Sequence, residues 1–170
     1  SILHRYLEEG RLDDESLEQI DPLLRSIATD LRSGGASEPA EQLGDIVHAF
    51  GLVSVQIDVE GVLPEDARVA AAFLQIIREA STNATKHAQA HRVHVRLWQE
   101  GADAGAVAHM TISNDGSPAP VSYREGTGIP GMRHVARDLG GSLEVHAASP
   151  FTLTVSIPLT PNAAVRRRSS

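Results

Sequence analysis

Three polar side chains on one predicted helix have the types and spacing needed to bind a phosphate group together with a metal ion. Glu79, Asn83 and Lys86 follow one another at intervals of four and three residues. At about 100° per residue they form one stripe beside the apolar face of the helix. An amide oxygen can ligate Mg²⁺, an ammonium group can contact phosphate oxygens, and a carboxylate can orient or deprotonate a nucleophile. Glu and Lys at this spacing also form ordinary surface pairs, so the spacing alone leaves both interpretations open.

A glycine-rich segment, residues 126–132, could form a second contact with a phosphate group. It ends a predicted loop and opens a predicted helix. Its glycines allow the backbone to approach a ligand closely, and a helix start presents free N–H groups and a positive potential. The segment is neither a Walker motif nor a dinucleotide fingerprint, because no Gly-Lys-Ser/Thr follows and the strand–turn–helix context is absent. A glycine pair of this kind by itself is weak evidence of a site.

Residues 113–116, Ser-Asn-Asp-Gly, close a predicted strand. The simplest interpretation is a strand-end turn, because Asn, Asp and Gly tolerate unusual backbone angles. The functional interpretation is that an amide or carboxylate here is directed at the edge of a base. Gly116 would then allow a purine to lie close to the backbone.

The elements that must position these residues follow from the hydrophobic pattern. Helices are predicted over residues 41–50, 64–88 and 129–139, and strands over 53–59, 93–98, 107–113, 142–146 and 152–157. Pro64 is placed at the start of the long helix, where its missing N–H costs nothing. The glycines of residues 101–105 predict a tip between two strands. The order predicts an α+β fold, with helices packed on one face of a largely antiparallel sheet.

Apolar residues at helical spacing before this domain predict a helical hairpin over residues 1–33. Residues 34–39 are predicted to be a linker, residues 40–160 the main domain and residues 161–170 a disordered tail. A hairpin with one apolar stripe cannot bury that stripe alone. We therefore expect a second copy of the chain to cover it, and packing against the main domain is the alternative.

Composition excludes several classes of protein. With 15 basic and 22 acidic residues, the net charge is −7, which argues against nonspecific nucleic-acid binding. The absence of cysteine excludes disulfides, thiol nucleophiles and zinc–thiolate sites. No apolar run approaches the ~20 residues that span a bilayer, and no signal peptide opens the chain. We therefore expect a cytoplasmic fragment of a longer protein, attached to a membrane only through segments outside this sequence.

Taken in order, the three segments resemble the ATP-binding domain shared by sensor histidine kinases, gyrase and heat-shock chaperones of the Bergerat type. Residues 78–88 resemble its N box, residues 113–116 its first glycine box and residues 126–132 its second, and the resemblance covers about residues 40–160. Arg-Glu-Ala and Lys-His-Ala at the two ends of the N box are most similar to kinases whose response regulators carry helix-turn-helix DNA-binding domains. The resemblance implies a two-layer α/β sandwich, ATP and Mg²⁺ as cofactors, and a response regulator as partner.

The resemblance also implies roles for individual residues. Asn83 corresponds to the Mg²⁺ ligand, Lys86 and His87 to phosphate contacts, and Glu79, with Lys86, to the catalytic groups. Asn114 stands where the family usually has an Asp that binds the adenine amino group. The other implied ATP-binding residues are Gly116, Gly126, Thr127, Gly128, Gly131 and Met132. Residues 117–125 correspond to a short, mobile lid.

Several positions depart from the family pattern. Asn114 is expected to keep an acceptor oxygen for the adenine amino group while losing the charge of an Asp. Ser117 and Pro118 replace the later part of the first glycine box, and Phe151 replaces a Thr that helps to bind adenine. Asp115 is a second candidate for the base contact, but the alignment of Gly116 favours Asn114.

The predicted hairpin resembles the end of a dimerisation and phosphoacceptor domain. His4 is followed by Arg rather than by the usual acidic residue, so we expect the phosphoacceptor histidine to lie upstream. The resulting hypothesis is a two-component histidine kinase fragment that binds ATP but cannot autophosphorylate. Two alternatives remain open at this point: a serine kinase of the anti-sigma-factor type, and an interaction platform that no longer binds nucleotide.

Overall fold

The computed structural model describes residues 38–116, 128–146 and 150–159. In these residues the helices are α1 (Pro39–Gly51), α2 (Ala67–His87) and α3 (Ile129–Asp138), and the strands are β1 (Gln56–Glu60), β2 (Arg92–Glu100), β3 (Val107–Asn114), β4 (Ser142–His146) and β5 (Thr152–Pro158). The predicted order of helices and strands is confirmed. The predicted hairpin, the predicted lid, Gly126, Thr127 and the predicted tail lie outside the described residues.

The five strands form one sheet in the order β1-β2-β3-β5-β4. Only β1 and β2 are parallel, and α2 is the crossover that a parallel connection requires. The other three pairings are antiparallel, and the tip between β2 and β3 contains the short 3₁₀ turn Asp103–Gly105. The prediction of a largely antiparallel sheet is therefore confirmed.

The sheet has one buried face and one face open to solvent. Alternate residues of β2, β3 and β5 are buried, as the period of two along a strand requires. Their apolar side chains pack with those of α2, which has Val69, Phe73, Ile76 and Ile77 fully buried. Helix α2 is thus the central helix of a two-layer domain. Among the described helices, none is both long enough and apolar enough to cross a bilayer.

Three predicted boundaries were wrong for local reasons. Helix α2 begins at Ala67 rather than at Pro64, because Asp66 is its N-cap. Pro39, assigned above to the linker, is the first residue of α1. Strand β1 begins at Gln56 rather than at residue 53, because a turn with Ser54 at φ +63° follows α1. The apolar residues that predicted a longer strand there are nevertheless buried.

The start of α2 depends on one side chain. Asp66 Oδ1 accepts hydrogen bonds from the backbone N–H groups of Arg68 at 2.9 Å and Val69 at 3.4 Å. We expect Asp66→Ala to lower the free energy of unfolding by about 1 kcal/mol, because those two N–H groups lose their acceptor. Chemical denaturation measures this change. Asp66→Asn keeps the acceptor oxygen, and an equal loss in that variant would contradict the capping role.

Candidate nucleotide-binding site

The polar stripe of α2 lies directly against the glycine segment that starts α3. Gly128, the N-cap of α3, has φ +86°, a conformation that favours glycine. A Cβ atom added to Gly128 would lie 2.5 Å from Glu79 Oε1 and 2.8 Å from Asn83 Nδ2. The absence of a side chain at Gly128 therefore allows this close approach. Two residues of the predicted trio and the second glycine segment share one place in the fold.

Asn83 is buried but incompletely hydrogen-bonded. It is 6% exposed, and its Nδ2 has no hydrogen-bond partner among the residues that the structure describes. An unpaired buried amide costs about 1–3 kcal/mol, so protein interiors rarely contain one without a function. Rotation of the amide by 180° would present its oxygen at the same position. Asn83 is therefore suited to ligate an ion that binds between α2 and the start of α3.

Lys86 extends the stripe by one further turn of α2 and is half-buried. His87 is the last residue of α2, and its side chain lies outside the described residues. The structure therefore places the backbone of His87 beyond Lys86 on the same helix. The prediction that both side chains contact phosphate stays a prediction.

The first turn of α3 leaves two backbone N–H groups without an acceptor inside the helix. The N–H of Met132 donates to the Gly128 carbonyl at 2.8 Å and closes the first helical turn. Ile129 and Gly131 lie within that turn, where their N–H groups have no acceptor inside the helix, and Pro130 between them has no N–H. The space around the Gly131 Cα is open, so its backbone is accessible. This end of α3 can donate hydrogen bonds to an anion.

Met132 was expected among the ATP contacts, but its side chain is part of the hydrophobic core. It is 3% exposed and belongs to the same cluster as the buried residues of α2. Its N–H is already used within α3. Met132 therefore anchors the start of α3 against the sheet, and neither its side chain nor its N–H is available to a nucleotide.

The turn after β3 places Asn114 at the edge of the sheet. Asn114 is the last residue of β3 and pairs with Val93 on β2. The N–H of Gly116 donates to Asn114 Oδ1 at 2.9 Å. The expectation that this oxygen accepts a hydrogen bond from an adenine amino group stays a prediction, and the oxygen already accepts one from the backbone. A Cβ added to Gly116 would collide with Ala88, so this glycine also permits close packing against the end of α2.

Asp115 holds the same turn to the start of β2. Its Oδ1 accepts hydrogen bonds from the N–H groups of His91 and Arg92, each at 2.9 Å. Its own N–H donates to the Arg92 carbonyl at 3.1 Å. This structural role was not predicted from the sequence. The choice of Asn114 over Asp115 as the base contact stays a prediction, because both side chains accept backbone hydrogen bonds.

Phe151 lies beside Asn114 at the same edge of the sheet. Thr152 on β5 pairs with Ser113 on β3. Because the two strands are antiparallel, the preceding residue, Phe151, is opposite the following residue, Asn114. Phe151 is half-buried and packs against the core. An aromatic side chain thus stands next to the predicted base contact.

The two halves of the candidate site are arranged along one helix. Gly128 lies against Glu79 and Asn83, and Gly116 lies against Ala88, the residue that follows α2. Asn83 and Ala88 are five residues apart, which is about 7.5 Å along a helix axis. The predicted phosphate contacts and the predicted base contact therefore lie at two successive positions along this helix and its C-terminal end.

Comparison with known proteins gives the family. Residues 69–161 match the family described as histidine kinase-, DNA gyrase B- and HSP90-like ATPase, and this range is more than half of the chain. The chain belongs to this ATPase family. The matched range contains all but the first two residues of α2, the turn after β3 and the start of α3. The resemblance deduced from the three motifs is confirmed.

Curated relatives of the chain include sensor kinases. The signal transduction histidine-protein kinase/phosphatase UhpB of Salmonella typhimurium is 30% identical over 150 residues, which cover 88% of this chain and 27% of the relative. The sensor histidine kinase DesK of Bacillus subtilis is 33% identical over 87 residues, which cover 48% of this chain and 22% of the relative. The chain spans about a quarter of the length of the curated relatives it matches.

A solved structure supports the fold. The histidine kinase domain of the blue-light activated kinase from Erythrobacter litoralis EL346 superposes with a TM-score of 0.55 at 20% sequence identity. The match covers 91% of this chain and 79% of that chain. The prediction of a two-layer α/β sandwich of this fold is confirmed.

The ATPase domain has further clefts that do not include the candidate site. One, of about 710 Å³, lies between the end of α1 and the starts of β1 and β2, and is lined by residues that include Gly51, Gln56, His91 and Asp115. Another, of about 590 Å³, lies near the far end of β2 beside Trp98. Neither is lined by Glu79, Asn83 or Gly128. The candidate site is therefore defined by its residue chemistry rather than by either of these cavities.

The donor set of the ATPase domain fits Mg²⁺ only together with a nucleotide. Within residues 38–116, 128–146 and 150–159 there is no group of three or more His, Cys, Asp or Glu side chains that could hold a metal ion. Mg²⁺ is commonly bound by one or two protein oxygens together with substrate phosphates. The buried, unpaired amide of Asn83 beside the Glu79 carboxylate matches that pattern.

Proposed function

We propose that this chain is the ATP-binding catalytic domain of a two-component sensor histidine kinase. In the intact kinase the ATP γ-phosphate is transferred to a histidine and then to an aspartate of a response regulator. Membership of the ATPase family and the sensor-kinase relatives support this proposal. The observation that carries it is the contact of Gly128 with Glu79 and Asn83, which brings the acid, the amide and the N-terminus of α3 to one site.

Each residue of the site has a distinct task in the proposed reaction. Asn83 ligates Mg²⁺ through its amide oxygen, and Lys86 and His87 bind phosphate oxygens. The segment from Gly126 to Gly131, including Thr127, surrounds the phosphates with backbone N–H groups, of which those of Ile129 and Gly131 have no acceptor within α3. Asn114 and Gly116 contact the base. Catalysis of phosphoryl transfer depends mainly on positioning and on neutralising charge, and this set of residues supplies both.

Glu79 is suited to act on the attacking imidazole. It lies on the same stripe as Asn83, half-buried and beside the start of α3. A carboxylate there can accept a hydrogen bond from the imidazole N–H and orient the opposite ring nitrogen towards the γ-phosphorus. When bound, Mg²⁺ would supply charge neutralisation for the phosphates.

The proposal also includes partners. A response regulator receives the phosphoryl group, and residues 1–33 form the homodimer contact of the intact kinase as a helical hairpin. The domain operates in the cytoplasm, where ATP is available. Its net charge of −7 disfavours nonspecific binding to nucleic acid.

Titration calorimetry with ATP in the presence and absence of Mg²⁺ tests the central claim. We expect a dissociation constant between about 1 µM and 1 mM for Mg·ATP, the range typical of substrate affinities, and much weaker binding when EDTA removes the metal. No heat and no shift of the melting temperature at millimolar Mg·ATP would reject the kinase proposal and favour an interaction platform.

A second experiment distinguishes a histidine kinase from a serine kinase. The longer protein that contains this chain is incubated with radiolabelled ATP, and the labelled protein is then treated with acid or alkali. We expect label that is lost in acid and retained in alkali, as phosphoramidate chemistry requires. Acid-stable label would assign the chain to a serine kinase.

A further inference from the structure

The hydrogen bond within the turn after β3 determines which atom Asn114 presents to a ligand. A backbone N–H can only donate, so the side-chain atom that faces the Gly116 N–H at 2.9 Å must be the amide oxygen. The amide nitrogen is then directed away from the turn. None of the described residues forms a hydrogen bond with that nitrogen, and Asn114 is only half-buried. The free polar group of Asn114 is therefore a donor.

We propose that this donor makes the site accept 6-oxopurine nucleoside triphosphates, such as ITP and GTP, at least as well as ATP. The inference rests on the proposed function, in which Asn114 faces the 6-substituent of a purine. Adenine presents an amino group at that position, and an N–H facing an amino group pairs two donors. Hypoxanthine and guanine present a carbonyl oxygen there, which accepts a hydrogen bond from the Asn114 amide.

A carboxylate at the same position would behave differently. Aspartate has two oxygen atoms, so one can cap the Gly116 N–H while the other accepts a hydrogen bond from an adenine amino group. Asparagine has one oxygen, which accepts a hydrogen bond from the Gly116 N–H, and its other terminal group is an NH₂ that can only donate. Replacing aspartate by asparagine in this turn thus changes the free group from an acceptor to a donor.

The surrounding contacts prevent the amide from simply rotating to suit adenine. Rotation would place the Asn114 NH₂ group against the Gly116 N–H and leave the latter without its acceptor. Asp115 ties the turn to the N–H groups of His91 and Arg92, and Gly116 packs closely against Ala88. The backbone of the turn cannot move away to relieve two donors that face each other. The fold therefore holds Asn114 in the orientation that presents the donor.

The test compares three nucleotides that differ at one position of the purine. ATP has an amino group at C6, ITP has an oxo group, and purine riboside triphosphate has hydrogen. Dissociation constants are measured by calorimetry on the full 170-residue chain with Mg²⁺. For the unaltered chain we expect ITP to bind as tightly as ATP or more tightly, with purine riboside triphosphate weaker than ITP.

The decisive variant is Asn114→Asp, which restores a free acceptor and retains the cap on Gly116. We expect the ratio of ATP to ITP affinity to shift at least about tenfold in favour of ATP, since pairing an acceptor with a donor replaces an unmatched contact. Asn114→Ala removes both the amide oxygen and the amide nitrogen. The dissociation constants of the three nucleotides should then differ less than in the unaltered chain. Gln99→Glu adds the same negative charge at the opposite end of β2, and its affinity ratio should equal that of the unaltered chain.

The outcomes separate this inference from the proposed function. Failure of the unaltered chain to bind any of the three nucleotides would reject both. Binding of ATP at least tenfold more tightly than ITP, with no change of the ratio in Asn114→Asp, would reject the inference and leave ATP binding intact. A melting temperature measured without nucleotide shows whether each variant is folded, and if Asn114→Asp is unfolded, the ratio for Asn114→Ala decides.

Discussion

Asn83→Ala is expected to lower the affinity for Mg·ATP at least about 100-fold without lowering the stability of the nucleotide-free domain. Mutation of a residue that only hydrogen-bonds to a metal ligand lowers metal affinity about 10–100-fold. Because Asn83 is proposed to be the ligand itself, we expect its loss to lower the affinity by the upper value of that range or more. Calorimetric titration with Mg·ATP measures the effect.

The stability part of this prediction follows from the burial of the amide. Asn83 is 6% exposed, and its Nδ2 lacks a hydrogen-bond partner, so the folded state bears an uncompensated desolvation cost. Alanine removes that cost and has a higher helix propensity than asparagine. A small cavity offsets part of the gain. We expect a free energy of unfolding between the wild-type value and about 1 kcal/mol above it, measured by chemical denaturation.

Ser81→Ala is the matched control for Asn83→Ala. Ser81 also lies on α2, is fully buried, and has an Oγ without a hydrogen-bond partner. At about 100° per residue it lies some 160° around the helix from Asn83, away from the start of α3. Ser81→Ala should therefore match Asn83→Ala in stability and leave Mg·ATP affinity unchanged. Equal loss of affinity in both variants would contradict a metal-binding role for Asn83.

Periodicity was sufficient to predict the parts of the fold that depend on burial. The alternation along β2, β3 and β5 and the apolar face of α2 follow from which side chains must avoid water. The polar stripe with Glu79 and Asn83 could be placed at the rim of that face for the same reason. The contact of this stripe with Gly128 could not be predicted from residue spacing, because a loop glycine belongs to no periodic pattern. It was predicted from the resemblance of three ordered motifs to a known family.

Three details of the structure could not be predicted from hydrophobic periodicity and motif resemblance. Residues 53–59 have strand character, yet the backbone at Ser54 turns with φ +63° and the strand starts later. The resemblance assigned the oxygen of Asn114 to a ligand, and it gave no sign that this oxygen also accepts a hydrogen bond from the Gly116 N–H. Asp115 was only a second candidate for the base contact, and its acceptor role towards His91 and Arg92 depends on the pairing of β2 with β3. The Asp115 contacts join residues more than twenty positions apart, and the pattern of either strand alone does not show them.

Gly128→Ala is expected to lower Mg·ATP affinity at least about tenfold, although alanine adds only one methyl group. That methyl group would lie 2.5 Å from Glu79 Oε1 and 2.8 Å from Asn83 Nδ2, so both side chains must move. Glu79 can swing away because its carboxylate is the end of a flexible side chain. Asn83 is buried and has less room. The main effect is thus to displace the residues proposed to bind Mg²⁺ and orient the nucleophile.

The other end of α3 provides the control for Gly128→Ala. Gly140 has φ +76°, close to the φ +86° of Gly128, but a Cβ there would meet no atom within 4 Å. Both substitutions should therefore lower the free energy of unfolding by about 1–2 kcal/mol, since alanine is strained in a left-handed conformation. Only Gly128→Ala should weaken nucleotide binding, because only its methyl group reaches α2. If Gly140→Ala weakens binding as strongly, the effect comes from loss of helix stability, and the contact between Gly128 and the polar stripe does not form the nucleotide site.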